Sequence, residues 1–281
     1  MKHIENSEIK RTLVYIVLIT LTVFSLFPFF VLIVNATRTH AQIMKGFSPL
    51  PGLGFFSNLG HLLSNPNIPV LRALGNSILV SVMSAVLTTY FSAMTAYGIF
   101  MYNFKGKQFA FKLILALMMI PTQVSTLGFI RLLIKIKMID TLAALYIPAI
   151  ASPVVFFYMY QAMQSSLPYS IVEAARIDGC NEIRIFNTIV IPLLKPAIAV
   201  QMIFSFVNSW NNYFVPALVI NSKLKKTIPI MIAQLRSADY QKFDMAQVYM
   251  FICLAIIPLV IVYLFLSRSI ISGVSAGSVK E

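Results

Sequence analysis

Six charged side chains stand close together between residues 165 and 197, in a chain whose long apolar stretches carry no charge at all. Side chains of this kind form ion pairs and hydrogen bonds, within the segment or with another protein. We identify no catalytic residue among them. Three acids balance three bases, so that the net charge of the segment is zero: Glu173, Asp178, Glu182, Arg176, Arg184 and Lys195.

The pattern of this segment predicts two short helices joined by a glycine turn. Ser170 followed by Glu173 fits a capping box, and Ser166 followed by Pro168 is an alternative start for the first helix. Gly179 favours the left-handed conformation that ends a helix. Helical spacing places four residues on one face of the first helix, with Glu173 and Arg176 toward the other: Ile171, Ala174, Ala175 and Asp178.

The second helix is predicted to carry an apolar stripe and to stop at a proline. Four residues form the stripe, and the proline follows them: Ile183, Phe186, Ile189, Val190 and Pro192. A membrane-surface loop with two amphipathic turns would give a similar pattern, so the residues by themselves leave that alternative open.

The spacing of the segment is more specific than its composition. Glu173-Ala174-Ala175 is followed after three residues by Gly179, and after nine more by Ile189-Val190-Ile191-Pro192. This spacing resembles the EAA loop of ABC-importer permeases, in the form found in the sugar-importer branch that includes the second maltose-transporter membrane subunit. The resemblance covers roughly residues 12–280.

The resemblance implies that this loop lies in the cytoplasm and that its first helix docks into a cleft of a separate ATPase subunit. Glu173 is then expected to pair with a basic or amide group of that subunit. The chain has no GxxxxGK[ST] motif, so we expect it to bind no cofactor itself, with ATP and Mg at the ATPase. The residues expected to couple to the ATPase are Glu173, Ala174, Ala175, Arg176, Asp178 and Gly179.

The composition excludes an ordinary soluble domain, because 58% of the residues are hydrophobic and only 11% are charged. Six stretches without charge can each supply the roughly 20 residues that cross a bilayer as a helix. We therefore predict an all-α polytopic membrane protein with six transmembrane helices and a coupling loop between spans 4 and 5. The spans are predicted near residues 12–35, 74–101, 111–130, 142–163, 196–220 and 246–268.

Four segments follow from these spans. Residues 1–11 form an amino-terminal tail, 12–271 the permease domain, 165–195 the coupling loop within it, and 272–281 a carboxy-terminal tail. Lys and Arg are divided equally between the two sides, so the positive-inside rule does not orient the chain. The coupling loop does, because its expected partner is cytoplasmic. We predict a multi-pass protein of the cell membrane with both termini in the cytoplasm.

Uncharged amides and aromatic side chains in the spans are candidates for a substrate path. A buried amide is costly unless it is hydrogen-bonded, and amides beside aromatic rings suit a sugar. Close packing between helices is the alternative interpretation, and we favour it for the small polar residues of the second span. The candidate path residues are Asn76, Gln123, Asn208, Trp210, Asn211, Asn212 and Tyr213.

The resemblance also implies a set of partners. These are a second homologous permease subunit, a dimer of cytoplasmic ATPase subunits, an extracytoplasmic solute-binding protein and membrane lipid. The outer loop 221–246 is expected to contact the binding protein through Pro229, Gln234 and Leu235, although a simple surface connector would look much the same. The tail resembles the family's G..GxVK ending, which implies a place between the ATPase subunits. The basic residues are scattered, so no nucleic acid is expected.

Other classes of function fit less well. An ion-coupled secondary transporter usually needs an acid within the membrane, and the charge-free stretches have none. An intramembrane enzyme would need paired acids or a metal site, yet the histidines are isolated and we expect no metal. Another neutral or polar solute stays open, and the lack of charge in the spans favours a neutral one.

Overall fold

A computed structural model describes residues 2–237 and 244–277, and this part of the chain is helical and contains no β-strand. Two 3-10 turns, Ile147–Ile150 and Lys223–Lys225, and a π turn, Phe186–Val190, accompany the α-helices. The α-helices of the described residues are α1 Lys2–Ala36, α2 His40–Met44, α3 Phe55–Leu63, α4 Val70–Met101, α5 Lys107–Leu117, α6 Thr122–Lys135, α7 Ala143–Tyr146, α8 Pro153–Ser166, α9 Tyr169–Ile177, α10 Glu182–Ile185, α11 Ile191–Leu193, α12 Lys195–Trp210, α13 Phe214–Val219, α14 Ile228–Ser237 and α15 Met245–Gly277.

Four helical segments within the described residues are long and apolar enough to cross a membrane: Arg11–Ala36, Val70–Met101, Ala143–Ser166 and Met245–Ser267. A bent pair, Glu182–Leu193 with Lys195–Trp210, supplies a fifth candidate. The prediction of an all-helical polytopic protein is confirmed in this form. The count of six spans stays a prediction.

The third predicted span consists of two helices. α5 begins after Gly106, whose φ of 94° is left-handed, and ends at Leu117. Pro121 then adopts an extended conformation with ψ of 128°, and α6 follows it. Because proline lacks an N–H and blocks the preceding turn, the helix stops there and starts again. Each piece alone is shorter than the roughly 20 residues of a spanning helix.

The fifth predicted span is interrupted as well. Its main helix, α12, begins immediately after a bend of 84° at Leu194. The helix ends at Trp210, three residues are not helical, and α13 then runs from Phe214 to Val219. Broken helices at membrane depth are tolerated where they are buried in protein or border a wet path.

One compact unit combines residues 2–70 with residues 232–237 and 244–256. The segment that follows α1 is fixed by the buried side chain of Arg38, which donates hydrogen bonds to Asn35 Oδ1 at 3.0 Å and to the Gly46 carbonyl at 3.1 Å. Asn58 Nδ2 donates to the carbonyls of Ala36 and Arg38, at 2.9 and 3.0 Å. The bond to Ala36 satisfies one of the carbonyls that a helix leaves without partners at its end, and the others fix the segment that follows α1.

A second compact unit combines residues 71–231 with residues 257–277. Small polar residues of α4 satisfy backbone carbonyls there. Thr88 Oγ1 donates to the carbonyl of Ala149 at 2.8 Å. The helical partner of that carbonyl would be the N–H of residue 153, which is a proline. Ser92 Oγ donates to the carbonyl of Ser152 at 3.4 Å, which also accepts the N–H of Phe156. These contacts support the packing interpretation of the second span.

Candidate functional site

The first helix of the predicted coupling loop, α9, begins at Tyr169. The Ser170 capping box is wrong, because Pro168 occupies the capping position and no side-chain hydrogen bond caps this end of α9 in the described chain. The alternative start at Ser166 is wrong too, since Ser166 is the last residue of α8. Pro168 lies between the two helices with ψ of 131°, a conformation that separates them without a polar cap.

Gly179 ends α9 as predicted, with a φ of 79°. Its N–H donates to the carbonyl of Arg176 at 3.0 Å, and the N–H of Cys180 donates to the carbonyl of Ala175 at 3.0 Å. This pair of bonds defines a Schellman motif, which requires a left-handed residue at that position. Nothing lies within 4 Å of the place where a β-carbon would be added to Gly179, so the requirement comes from the backbone alone.

α9 has one buried and one exposed face. Val172 and Ala175 are buried, whereas Glu173 is exposed together with Ile171, Ala174 and Asp178. The predicted division into faces is therefore wrong for Ala175, which is buried, and for Glu173, which is predicted to lie toward the other face. Ile177, a large apolar side chain, is 86% exposed. We define the exposed face of α9 as Ile171, Glu173, Ala174, Ile177 and Asp178.

Arg176 turns away from that exposed face and binds Glu182 across the glycine turn. Its Nε lies 2.6 Å from Glu182 Oε1, and its Nη2 lies 3.3 Å from Oε2. The hydroxyl of Tyr97 in α4 donates to the same Oε2 at 2.6 Å. The guanidinium lies over the ring of Tyr102, 5.2 Å from its centroid. We call Arg176, Glu182, Tyr97 and Tyr102 the loop clasp.

The loop clasp favours the ionised form of Glu182. The hydrogen bond from Arg176 is the largest of several effects that lower the pKa of Glu182 to about 2, against the opposing effect of burial. The same hydrogen bond raises the pKa of Arg176. Both groups therefore keep their charges throughout the neutral range, and the ion pair holds α9 against the segment that follows it.

The second half of the loop is one helical rod, residues 182–193, formed by α10, the π turn and α11. Asn181 caps it by accepting a hydrogen bond from the Arg184 N–H at 2.8 Å. Phe186 and Val190 are buried as the predicted stripe requires, but Ile183 is 70% exposed. The prediction that Pro192 stops this helix is wrong, since the helix continues one residue further to Leu193 and bends at Leu194. The π turn before Pro192 accounts for the continuation of the helix. In this turn the Ile191 N–H donates to the carbonyl of Phe186, five residues back, and not to a carbonyl four residues back.

The rod lies against α4. Phe186 packs between the rings of Tyr90 and Tyr97, with centroid distances of 5.6 Å to each. The hydroxyl of Tyr90 donates to Asn187 Oδ1 at 3.2 Å. Phe100, near the end of α4, stacks on Tyr169 of α9 at 4.7 Å. Both halves of the loop are thus attached to the same helix.

One apolar core joins the loop to α4 and α8. Its fully buried members include Met159, Met163, Val172, Ile185 and Val190. Burying side chains of this size stabilises by about 1.5–3 kcal/mol each relative to an exposed position. The exposed face of α9 therefore belongs to a loop whose other side is firmly packed.

Some of the predicted path residues pack or hydrogen-bond within the chain, and most of them are exposed. Trp210 is buried and stacks on Phe206 at 5.5 Å, which gives it a packing role. Asn212 Oδ1 accepts a hydrogen bond from the Val215 N–H at 3.4 Å and so begins α13. Asn208, Asn211, Asn212 and Tyr213 are exposed around the break between α12 and α13, and Gln123 is exposed near the start of α6.

Asn76 binds backbone of the same unit. Its Nδ2 donates to the carbonyls of Leu224 and Lys226, at 2.8 and 3.0 Å. Asp140 holds the same loop, because its Oδ1 accepts the N–H groups of Asn221 and Ser222 at 3.0 and 2.9 Å. These bonds fix residues 221–226 in one conformation.

The three residues expected to contact the binding protein lie in or along α14. Pro229 and Leu235 are half-buried and Gln234 is exposed. Residues 238–243 of the same predicted loop, and residues 278–281 of the predicted tail, lie outside the described residues.

Several side-chain contacts in the structure are predicted weakly or not at all by the sequence. Tyr97 lies 85 residues from Glu182, and no local pattern links them. Arg176 and Glu182 are opposite charges on either side of a glycine turn, which is a signal that could have found their pairing. His40 has no acid near it in sequence, yet its Nδ1 accepts the Met245 N–H at 3.0 Å and lies 4.0 Å from Asp244 Oδ1.

Comparison with known proteins identifies the class to which this chain belongs. The profile of the family described as "Binding-protein-dependent transport system inner membrane component" matches residues 85–275, and the chain belongs to this family. The prediction that the chain is a permease of an ABC importer is confirmed, and with it a multi-pass place in the cell membrane.

Individual relatives agree with this assignment. The arabinooligosaccharides transport system permease protein AraQ of Bacillus subtilis (strain 168) is 33% identical over 100% of this chain and 99% of its own. The sn-glycerol-3-phosphate transport system permease protein UgpE of Brucella abortus (strain 2308) is 30% identical over 96% and 98%. The fold matches a crystal structure of a bacterial ABC transporter involved in the import of the acidic polysaccharide alginate, with a TM-score of 0.81. The two chains are 20% identical, and the match covers 94% of this chain and 97% of that chain.

Proposed function

We propose that this permease couples solute import to a separate ATPase through the exposed face of α9. One observation carries the proposal. Ile177, 86% exposed, stands beside exposed Glu173 on a helix whose opposite side buries Val172 and Ala175. An apolar side chain next to an acid, on a rigid support, suits the centre and rim of a protein interface.

The charges of α9 support this use of its face. Arg176 is engaged by Glu182, so it is the acids Glu173 and Asp178 that remain on the exposed side. Glu173 makes no ion pair within the part of the chain that the structure describes. A basic or amide group of the ATPase is therefore the partner that fits Glu173, with Ile177 entering an apolar pocket beside it.

The proposed assembly places six spans in the membrane and both termini in the cytoplasm. The two helices α5 and α6 together form the third span, and α12 with α13 forms the fifth. A second homologous permease subunit completes the path, a dimer of ATPase subunits binds ATP and Mg, and an extracytoplasmic binding protein delivers the solute. Residues 221–226, held by Asn76 and Asp140, and the helix α14 are the segments proposed to meet the binding protein.

The solute that fits this chain is a neutral oligosaccharide. AraQ, the relative named for arabinooligosaccharides, aligns with the whole chain. Asn208, Asn211 and Tyr213 are exposed at the break in the fifth span, where amides can exchange hydrogen bonds with hydroxyl groups and a ring can stack on a sugar face. UgpE, named for a phosphorylated solute, is the relative that keeps another polar solute as the alternative.

Purification of the tagged chain in mild detergent from its native membranes tests the coupling. We expect the wild-type chain to bring down an ATPase with Walker motifs and a second permease. Ile177→Glu places a charge at the centre of the proposed interface and should remove the ATPase while the second permease remains. Ile183→Glu is the matched control, because Ile183 is also strongly exposed but lies on the rod.

Recovery of the ATPase with Ile177→Glu at the wild-type level would refute docking through this face. Loss of the ATPase from both variants alike would mean that the whole loop, and not the face of α9, forms the interface. Purification of the wild-type chain without any ATPase would refute the proposed function itself.

A further inference from the structure

The loop 165–195 is continuous in sequence with the fourth and fifth spans, and it also makes ring contacts and side-chain hydrogen bonds to α4. Tyr90, Tyr97 and Phe100 lie at seven- and three-residue spacing on α4, and each contacts the loop. Between the loop and α12, in contrast, the helix bends by 84° at Leu194. A sharp bend is a natural pivot, whereas interdigitated rings move together.

We propose that the loop clasp, with Tyr97 as its positioning residue, transmits motion of the docked α9 to α4. This inference rests on the proposed function, because it requires that an ATPase moves α9. Tyr97 would act through Glu182, since its hydroxyl donates to the carboxylate that Arg176 also holds. Motion at the ATPase would thus reach the second span through side chains, and not only the fifth span through the backbone.

Three features make the loop clasp suitable for this role. The ion pair is short, at 2.6 Å, and it bridges the glycine turn, so that α9 and the rod are held as one piece. Phe186 lies between Tyr90 and Tyr97, which prevents the rod from sliding along α4. The π turn begins at Phe186, and such turns are frequent at functional positions.

The loop clasp is also separate from the docking surface. Arg176 is partly buried, whereas Ile177, roughly 100° further around the helix, is exposed. Changes to the clasp should therefore leave binding of the ATPase intact while they weaken transmission. This separation distinguishes a transmitting role from a docking role.

The test uses the complete transporter, reconstituted into lipid vesicles with its binding protein. Solute uptake and ATP hydrolysis are measured in parallel for the wild type, Tyr97→Phe and Glu182→Gln. Both variants should purify with the ATPase and hydrolyse ATP near the wild-type rate. Uptake per ATP should fall about fivefold, the effect on a two-state equilibrium of losing one hydrogen bond.

Two further variants serve as controls. Tyr160→Phe removes a hydroxyl from a ring of the same core, which packs against Phe100 and Phe111, and it should behave as the wild type. Arg176→Lys keeps the charge opposite Glu182 and should retain more uptake per ATP than Arg176→Gln. A merely structural clasp would instead reduce the amount of assembled transporter and leave uptake per ATP unchanged.

The outcomes separate the two proposals. Wild-type uptake per ATP in both Tyr97→Phe and Glu182→Gln would overturn the transmitting role. An equal loss in Tyr160→Phe would overturn it as well, because any change to the core would then have the same effect. Failure of the wild-type chain to retain an ATPase would count against the proposed function.

Discussion

Replacement of Gly179 by valine is the sharpest perturbation of the coupling loop that the structure offers. Gly179 has a φ of 79° and closes the Schellman motif between α9 and the rod. A β-carbon at this position would meet nothing within 4 Å. Any effect of the substitution therefore comes from backbone conformation and not from a steric clash.

The size of the effect follows from that conformation. A left-handed backbone costs an ordinary L-residue roughly 1–2 kcal/mol, and a β-branched residue lies at the upper end. A cost of that size lowers the population of the native turn about 5–30-fold relative to alternatives. The turn sets the direction of α9 relative to the rod, so uptake should fall while insertion into the membrane is normal.

Uptake into cells and limited trypsin digestion in membranes measure this effect together. Opening of the turn should release the clasp and speed cleavage after Arg176, which is partly buried and bound to Glu182 in the native loop. Gly106→Val is the matched control, because Gly106 has a φ of 94° and equally open surroundings but begins α5. Gly179→Asn should recover much of the uptake, since asparagine tolerates the left-handed region.

Normal uptake by Gly179→Val would refute the argument that the turn must be fixed for coupling. Equal losses in Gly179→Val and Gly106→Val would also refute it, because a general cost in stability would then suffice. A loss in Gly179→Val together with recovery in Gly179→Asn is the predicted pattern.

Three further outcomes are expected from other parts of the chain. Asp140→Asn should speed trypsin cleavage within residues 221–226, because Asp140 fixes that loop by hydrogen bonds. The same substitution should weaken the stimulation of ATP hydrolysis by the binding protein. Unchanged cleavage would contradict this prediction. The hydrogen bonds from Ser222 lower the pKa of Asp140, so its contribution to stability is complete above the ordinary carboxyl pKa of about 3.9 and is lost only as the pH falls further toward the lowered value. Cleavage in that loop, divided by cleavage of an unfolded peptide by trypsin at the same pH, should therefore be the same at pH 7 and pH 5. The single tryptophan, Trp210, is buried against Phe206, so its fluorescence should be that of a shielded indole. The emission should shift to longer wavelength in Phe206→Ala. A wild-type spectrum typical of an exposed tryptophan would contradict the stacking.

The sequence predicts the parts of the molecule that depend on local chemistry. Charge-free stretches predict the long apolar helices, because a bilayer-spanning segment tolerates few charges. Gly179 is predicted to end α9, because only the local backbone requires a glycine there. The spacing from Glu173 to Pro192 by itself predicts the family to which the chain belongs.

Features that depend on distant contacts cannot be predicted in this way. Helical spacing alone places Ala175 with Ala174, but the core under α9 includes Ala175 and leaves Ala174 exposed. Pro192 is expected to stop a helix, yet the π turn that precedes it allows the helix to continue. The contact between Tyr97 and Glu182 depends on the packing of α4 against the rod, which no pattern along the chain encodes.

Site-specific cross-linking from position 177 tests the central claim most directly. A cysteine introduced by Ile177→Cys, with Cys180 replaced by serine, is treated with a thiol-reactive cross-linker in native membranes. We predict a covalent product that contains the chain and a Walker-motif ATPase, and a much weaker one from Ile183→Cys. Products without the ATPase, or an equal yield from both positions, would contradict coupling through the exposed face of α9.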